Sequence, residues 1–529
     1  MKHFSKGLAA GVAAIVLSFA APGANAATPD DQLVIGTSLA QVLSLDPQQA
    51  TEAKAIEIMS NLYDRLVKTA DRKIAPQLAE SWEIDEKGIT FHLREATFAS
   101  GNPVTADDVV YSLARLLKLD QASAANFKRI GYTADNVDKL VKAVDPRTVR
   151  IDLSGETTAE LLLYRLAMCV ASVVDSVEVK KHVQDNDYGN AWLRTNSAGS
   201  GPFTLKRWTP NEMVIIEAND AYAGGAPHMR RVIVRHVPES QVARLMLERN
   251  DIDIASALSA ADLKIFEAQQ GFEVQRVPTG GFYVLSMNAG NQYLANPKVR
   301  EAIAYSIDYK GIEQTIMGPY GRVRNVPVPE DYEYAIPNPD WHFDAAKAKA
   351  LLAEAGYPNG FSLTLKTIAQ TPRIDLATAI QGSLGQVGIK IDIQQGNGSD
   401  IIADHRARNF DLLMPQTGAY MPNVLGSMEQ FSSNPDNSKE ANNAGNFVWR
   451  SAWDIPELTA LTAKASLEPD AKKRGEIYVE MQEKFVEQKP AVLPLFERFE
   501  PIVVNARVKD YVGHPNQLTR LEGVTKASD

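Results

Sequence analysis

Hydrophobic and polar residues alternate in several short segments spread along the chain. Residues 148–153 and 389–393 change between polar and apolar at every step, and residues 232–237 follow the same pattern less strictly. Because successive side chains of a strand point to opposite faces, this alternation predicts strands with one buried face. Strands are thus expected in the first, middle and last thirds of the chain.

Other segments carry the spacing of amphipathic helices. Thr105 can cap a helix whose apolar residues recur every three or four positions between 109 and 117. A second helix is predicted from Asp344 to a stop at Gly356, and a third around residues 477–485. The mixture of helices and strands, without a strict βαβ repeat or a solenoid period, predicts an α/β or α+β fold.

Two aromatic residues indicate a hairpin ahead of the first of these helices. Trp82 and Phe91 alternate with charged neighbours, which predicts that both face the core of an antiparallel pair. The sequence Gly-Asn-Pro at residues 101–103 is a turn pattern, and we expect it to supply the turn of this hairpin.

The first 26 residues have the pattern of a secretory signal. Two lysines precede an apolar stretch at residues 8–21, and residues 24–26 read Ala-Asn-Ala, the small-x-small pattern that a signal peptidase cuts. We therefore expect residues 1–26 to be removed on export. A buried N-terminal helix is the alternative, which Pro22 disfavours because it breaks the segment short of a membrane span.

Composition narrows the class of protein. The chain has 529 residues, 45% of them hydrophobic, and a formal net charge of -10. An excess of acidic residues disfavours nucleic-acid binding, which depends on clustered Lys and Arg. The single cysteine, Cys169, lies in an apolar stretch and is expected to be an unreactive buried thiol. Since no cysteine lies near the predicted cleavage site, we expect a protein free in the periplasm and not lipid-anchored.

Motifs for catalysis and cofactor binding are absent from the sequence. It contains no nucleophile elbow, no phosphate-binding loop and no zinc-protease motif, and its eight histidines are scattered. Gly199 and Gly201 resemble part of a dinucleotide-binding pattern, but Pro202 follows at once and favours a tight turn. We therefore expect no catalytic residue, no cofactor and no metal site.

Seven motifs follow one another in a fixed order along the chain. They are residues 74–83 (IAPQLAESWE), 88–94 (GITFHLR), 98–109 (FASGNPVTADDV), 200–203 with Asn219, Tyr222, Gly224, Gly225 and Pro227, 299–302 with 306–308, 344–360, and Asn446, Phe447, Trp449 with 455–458. Together they closely resemble the extracellular solute-binding proteins, family 5, of bacterial ABC importers in the peptide and nickel class. The resemblance covers about Val34 to Val504.

The resemblance implies a two-lobed periplasmic-binding-protein fold of the class with an extra N-terminal subdomain. Two hinge strands, expected near residues 282–285 and 492–495, would join lobes that close on a ligand. The expected division is a signal peptide at residues 1–26, the first lobe with its extra subdomain at 27–283, the second lobe at 284–490, and a return to the first lobe at 491–529.

The resemblance also indicates which residue would bind the amino group of a ligand. Peptide-binding relatives hold this group with an aspartate in a W-x-G-D pattern, and the matching stretch here is residues 416–423. Ala419 stands where the acid should be, and no acid replaces it between Asp411 and Glu429. A buried ammonium without a counter-ion is costly, so ligands with a free α-amino group are disfavoured.

Arg373 lies near the position where dipeptide-binding relatives place an arginine on the ligand carboxylate. A guanidinium grips a carboxylate with two parallel hydrogen bonds, so Arg373 would suit an acidic ligand. An arginine on a surface loop is the alternative. The other residues expected at the ligand are Ser38, Leu39 and Gln41 of the loop 38–41, Tyr283, Gln416, Thr417, Gly418, Ala419, Tyr420 and Trp449. For Trp449, packing is an equal alternative.

These expectations describe a receptor. It would be a monomer that captures a peptide or peptide-like solute and delivers it unchanged to an ABC permease in the inner membrane. An opine, a sugar conjugate or an oligosaccharide is the alternative cargo. An exported hydrolase or a chaperone-like binder on the same scaffold is the alternative from another class.

Overall fold

A computed structural model describes residues 28–50, 52–418, 421–441, 443, 445–515 and 518–527. The predicted signal peptide, Ala419 and Tyr420 lie outside the described residues.

The strands of this part of the chain are distributed over its whole length. They are β1 (Gln32–Thr37), β2 (Val67–Ala70), β3 (Lys73–Pro76), β4 (Ala79–Asp85), β5 (Gly88–Leu93), β6 (Val141–Asp145), β7 (Thr148–Asp152), β8 (Phe203–Thr209), β9 (Met213–Ala218), β10 (Arg231–His236), β11 (Ile254–Ser256), β12 (Phe272–Met287), β13 (Gly321–Val323), β14 (Phe361–Ile368), β15 (Ile389–Gly396), β16 (Leu412–Leu413), β17 (Val492–Asn505), β18 (Val508–Lys509) and β19 (Thr525–Lys526).

Helices alternate with these strands. They are α1 (Ala53–Leu62), α2 (Ala106–Leu119), α3 (Ala125–Lys128), α4 (Val137–Leu140), α5 (Ala159–Leu166), α6 (Ser176–Lys180), α7 (Asn190–Leu193), α8 (Ser240–Glu248), α9 (Ala260–Ala268), α10 (Pro297–Ser306), α11 (Tyr309–Ile312), α12 (Ala345–Glu354), α13 (Arg373–Gly385), α14 (Gly398–Arg406), α15 (Val424–Ser432), α16 (Phe447–Arg450), α17 (Pro456–Leu467) and α18 (Ala471–Glu487).

The three predicted strands and three predicted helices are confirmed. The strands correspond to β7, β10 and β15, and the helices to α2, α12 and α18. At the start of α2, the backbone N–H and the hydroxyl of Thr105 both donate to Asp108, at 2.9 and 2.8 Å. At the start of α12, Asp344 accepts from the N–H of Lys347 at 2.9 Å. These bonds satisfy helix donors that would otherwise lack a partner.

The predicted hairpin is present, but its predicted turn is wrong. Trp82 in β4 pairs with Phe91 in β5, and the connection between these strands is Asp85–Gly88. The segment 101–103 instead lies just before α2, where Pro103 bridges to Thr97. The correct turn is closed by the Asp85 carboxylate, which accepts the N–H groups of residues 87 and 88 at 2.8 and 3.0 Å.

A large mixed sheet organises most of the strands. Its order is β15-β14-β16-β12-β17-β11-β1-β10-β9-β8, with β13 beside β17. Strands β12 and β17 pair antiparallel from Phe272 opposite Asn505 to Ser286 opposite Val492, so they connect the two ends of the sheet. The apolar runs 282–285 and 492–495, which the sequence predicts as crossing strands, lie at one end of this strand pair, where Val284 is opposite Pro494 and Leu285 is opposite Leu493.

A second antiparallel sheet, in the order β4-β5-β7-β6, forms a separate layer. Phe91 and Val149 of this sheet and Leu113 of α2 are buried in one apolar cluster that is distinct from the clusters around the large sheet. Helix α2 therefore covers one face of the small sheet and completes a local core.

Cys169 is a free, buried thiol, 6% exposed. Burial raises the pKa of this thiol, although the nearby Arg65 guanidinium opposes the shift. Because the thiolate is the reactive form, we expect no modification of the native protein by a thiol-reactive disulfide reagent at pH 8. One thiol per chain should react once urea unfolds the protein, and rapid reaction of the native protein would contradict this assignment.

Candidate ligand-binding site

Tyr283 lies near one end of the pairing between β12 and β17. It pairs with Phe496 and also forms an isolated bridge to Gln416, next to a register shift in the strand pair. Its side chain is buried, and burial raises the pKa of Tyr283 while the charges of Arg498 and Arg373 oppose the rise. The phenol is therefore neutral at physiological pH and can donate a hydrogen bond.

Arg373 is the first residue of α13 and only 8% exposed. Burial lowers the pKa of Arg373 to about 10, and the positive charge of Arg498 contributes to the lowering. The guanidinium remains charged at neutral pH, yet no acid of the described chain forms an ion pair with it, and no hydrogen bond to its side chain is present there. A buried cation without a counter-ion is costly, which makes this position suited to an acidic group supplied by a ligand.

Arg498 acts on Tyr283 together with Arg373, and the sequence alone did not single it out. Its Nε donates to Oγ1 of Thr279 at 2.9 Å, and no carboxylate in the described part of the protein lies within ion-pairing distance. The charges of Arg498 and Arg373 both act to lower the pKa of Tyr283, so two guanidiniums without an ion pair in the described part of the chain act on one phenol. A charged residue three positions beyond the apolar run 492–495 was the available signal for it.

Gln416, Thr417 and Gly418 run alongside β12. The N–H of Thr417 donates to the carbonyl of Phe282 at 2.9 Å, and the N–H of Phe282 donates to Oγ1 of Thr417 at 2.9 Å. The carbonyl of Gly418 accepts from Nε2 of Gln430 at 3.3 Å. These bonds fix the segment that leads to Ala419 and Tyr420, two expected ligand contacts that lie outside the described residues.

Gly281 in β12 and Gly418 in the neighbouring segment differ in the space around them. A Cβ on Gly281 would lie 1.9 Å from the carbonyl oxygen of Thr417, whereas a Cβ on Gly418 would meet no described atom within 4 Å. Gly281 therefore permits the close approach of the two segments. Gly418 borders open space that a ligand could occupy.

We expect Gly281→Ala to destabilise the protein by about 2 kcal/mol, because the methyl group must push the two backbones apart. Gly418→Ala is the matched control and should leave the free energy of unfolding unchanged within about 0.5 kcal/mol. Urea unfolding followed by circular dichroism measures both. Equal destabilisation by the two substitutions would contradict the difference in packing.

The loop 38–41 follows β1. Leu39 is buried and its N–H donates to Nδ1 of His236 at 2.9 Å, while Ser38 is half-buried and Gln41 is exposed. Nε2 of Gln41 lies 3.6 Å from where a Cβ on Gly398 would be, at the start of α14. The loop thus reaches the end of β15, at the opposite end of the large sheet from β8.

The described contacts of Trp449 are structural. Its indole N–H donates to the carbonyl of Ser438 at 2.8 Å, and the guanidinium of Arg408 lies 3.9 Å from the centre of its ring. The side chain is 3% exposed. These contacts favour the packing alternative for Trp449, because its polar atom and one ring face already have partners.

Asp411 and Glu429, the acids on either side of position 419, both already have hydrogen-bond or ion-pair partners. Asp411 accepts from the N–H and hydroxyl of Thr364 at 3.0 and 2.9 Å and from Asn291 at 2.8 Å. Glu429 is paired with Arg165 at 2.6 Å and with Arg129 at 3.3 Å. Neither carboxylate is free to replace the acid that is missing at position 419.

Two further features are absent from the described residues. There is no cluster of three or more His, Cys, Asp or Glu residues placed to hold a metal ion. No helix in this part of the chain has the length and apolar character required to cross a membrane.

Comparisons with known proteins cover nearly the whole chain. The model of the bacterial extracellular solute-binding proteins, family 5, matches residues 73–439. The chain is 31% identical over 513 residues to a protein of Escherichia coli K12 named "Probable D,D-dipeptide-binding periplasmic protein DdpA", covering 95% of each chain.

Solved structures share the fold. The DppA protein of Helicobacter pylori in complex with the peptide STSA has a TM-score of 0.81 at 24% identity, with 94% of this chain and 98% of that chain covered. AgaA of A. tumefaciens R10 in complex with agropinic acid has a TM-score of 0.79 at 23% identity, with 94% and 99% covered. The predicted periplasmic-binding-protein fold is thereby confirmed. This chain belongs to the bacterial extracellular solute-binding proteins, family 5.

Proposed function

We propose that this protein captures a small peptide-like solute with a free carboxylate and binds that carboxylate at Arg373. The observation that carries the proposal is the buried Arg373 guanidinium without an ion pair in the described part of the chain. Arg498 and the neutral phenol of Tyr283 would complete a positively charged recess. A carboxylate there supplies the missing counter-charge and accepts charge-assisted hydrogen bonds.

The amino end of the solute should be blocked or absent. Ala419 carries no charge, and the two neighbouring acids, Asp411 and Glu429, already have partners. N-acylated dipeptides and opines, whose amine is part of a larger group, fit this arrangement better than free dipeptides. The structural similarity to the agropinic acid complex makes an opine the second candidate cargo.

The cellular setting follows from the family and the sequence. We propose that residues 1–26 direct export, that the mature monomer works in the periplasm, and that an ABC permease accepts the loaded form. The proposed lobes are residues 27–283 with 491–529 and residues 284–490, closing on the solute without chemical change. Mass spectrometry of the bound compound after incubation tests this last point, since a cleaved product would indicate a hydrolase.

Titration calorimetry with four compounds tests which class of solute the protein binds. They are D-alanyl-D-alanine, N-acetyl-D-alanyl-D-alanine, the C-terminal amide of the acetylated dipeptide, and agropinic acid. We expect the acetylated acid or agropinic acid to bind at least about tenfold more tightly than the free dipeptide, and the amide to bind poorly. Equal binding of the acid and its amide would overturn the carboxylate assignment. Tighter binding of the free dipeptide would overturn the blocked amino end.

A further inference from the structure

A polar cavity lies outside the candidate ligand-binding site. Its volume is about 160 Å³, which is many times the roughly 15 Å³ that one water molecule needs. It is lined by Asp64, Lys68, Pro76, Gln77, Leu78, Arg94, Tyr222, Ala223, Gly224 and Glu522. These residues come from β2 and the residues before it, from the segments after β3 and β5, from the connection between β9 and β10, and from the C-terminal segment.

The acids of this cavity are neutralised within the protein. Arg520 donates to Asp64 at 3.1 Å, and its Nε lies 3.2 Å from each carboxylate oxygen of Glu522. A third nitrogen of Arg520 donates to the hydroxyl of Tyr222 at 2.8 Å. Asp64 also accepts from Gln77 at 2.5 Å. One half-buried arginine thus holds both carboxylates in place.

The cations of the cavity have no such partners. Lys68 and Arg94 form no ion pair or side-chain hydrogen bond with any residue the structure describes, and Nε of Arg94 is buried. Arg65, next to Asp64 and 1% exposed, also has two nitrogens without a partner. The cavity therefore has a net positive potential that nothing within the described chain balances.

We propose that this cavity binds hydrogen phosphate through Lys68 and Arg94. A guanidinium and an ammonium match the oxygens of a tetrahedral anion, and the volume accommodates it. Glu522, which makes only two long hydrogen bonds, keeps acceptor capacity for the hydroxyl that phosphate retains at neutral pH. Sulfate lacks this hydroxyl and would meet Glu522 as a repelling charge. Bound phosphate would link β2 and the end of β5 to the C-terminal segment.

Titration calorimetry of the full-length protein at pH 7.5 and constant ionic strength tests the proposal with inorganic phosphate, sulfate and glycerol 3-phosphate. We expect phosphate to bind at least about tenfold more tightly than either competitor. Lys68→Gln and Arg94→Gln should each raise the Kd for phosphate at least about tenfold. Lys68→Gln is the safer variant for folding because its side chain is only half-buried on β2.

Lys73→Gln is the matched control. Lys73 is exposed on the neighbouring strand β3 and does not line the cavity, so its loss should change the Kd by less than about twofold. Absence of phosphate binding, or an equal Kd in the wild type and both cavity variants, would overturn the proposal. Equal or tighter binding of sulfate or glycerol 3-phosphate would overturn the assignment to hydrogen phosphate. None of these outcomes depends on the cargo of the ligand-binding site.

Discussion

Replacing Arg373 by Gln should weaken the binding of an acidic cargo by about 100-fold, which corresponds to about 2.7 kcal/mol. The guanidinium is buried and has no acid to pair with in the part of the chain that the structure describes, so a bound carboxylate would lose its main charged donor. Calorimetry with N-acetyl-D-alanyl-D-alanine and agropinic acid measures the change. Binding of the amide probe should change far less.

The stability of Arg373→Gln without ligand distinguishes a loss of ligand binding from a defect in folding. Since Arg373 is a buried cation without compensation, its replacement by a neutral side chain should leave the melting temperature of the empty protein unchanged or raise it. A structural arginine would instead lower it. Arg406→Gln, at an exposed position at the end of α14, is the control for the loss of one positive charge. Unchanged affinity in Arg373→Gln would contradict the assigned role.

Replacing Glu429 by Gln should destabilise the protein by about 3 kcal/mol, because it leaves two cations facing a neutral group. Glu429 in α15 is paired with Arg165 of α5 and with Arg129, and it joins the small-sheet layer to the C-terminal half of the chain. Urea unfolding at pH 7 measures the effect. Glu354→Gln, which breaks an exposed pair with Lys298, should cost less than about 1 kcal/mol.

The ion pairs of Glu429 also predict that the free energy of unfolding depends on pH. Burial would raise the pKa of Glu429, but the charges of Arg165 and Arg129 outweigh burial and hold the pKa below its usual range. The carboxylate thus stabilises the fold above the unfolded pKa of about 4.3, and this contribution disappears as the pH falls through the lower folded value. The difference between the wild type and Glu429→Gln should therefore shrink below about pH 4. A constant difference down to pH 2 would contradict the assignment.

Local patterns predicted the elements of this fold well, because each depends on neighbouring residues. The capping of α2 by Thr105 follows from residues within one turn, and the alternation in β7 follows from one buried face. The hairpin turn was misplaced because two turn patterns compete here, and Asp85, which closes the real turn, was overlooked beside the more familiar Gly-Asn-Pro.

The candidate site was harder to predict because distant segments build it. The resemblance suggested Arg373, and the apolar run 282–285 drew attention to Tyr283. Arg498 was not proposed, because its place beside Tyr283 depends on the pairing of β17 with β12. For Trp449 the sequence left packing and ligand contact open. Its contacts with Ser438 and Arg408, which only the folded chain brings about, favour packing.

The long pair β12 and β17 breaks its regular register at two places, between Pro278 and Phe282 and between Tyr283 and Val284. A hydrogen-bonded ladder bends most easily where its rungs are missing. One of these two breaks lies directly beside Tyr283, the tyrosine expected to contact the cargo. Evolution of a new cargo preference at this position would change bending stiffness at the same time, so affinity and release rate should change together across natural variants.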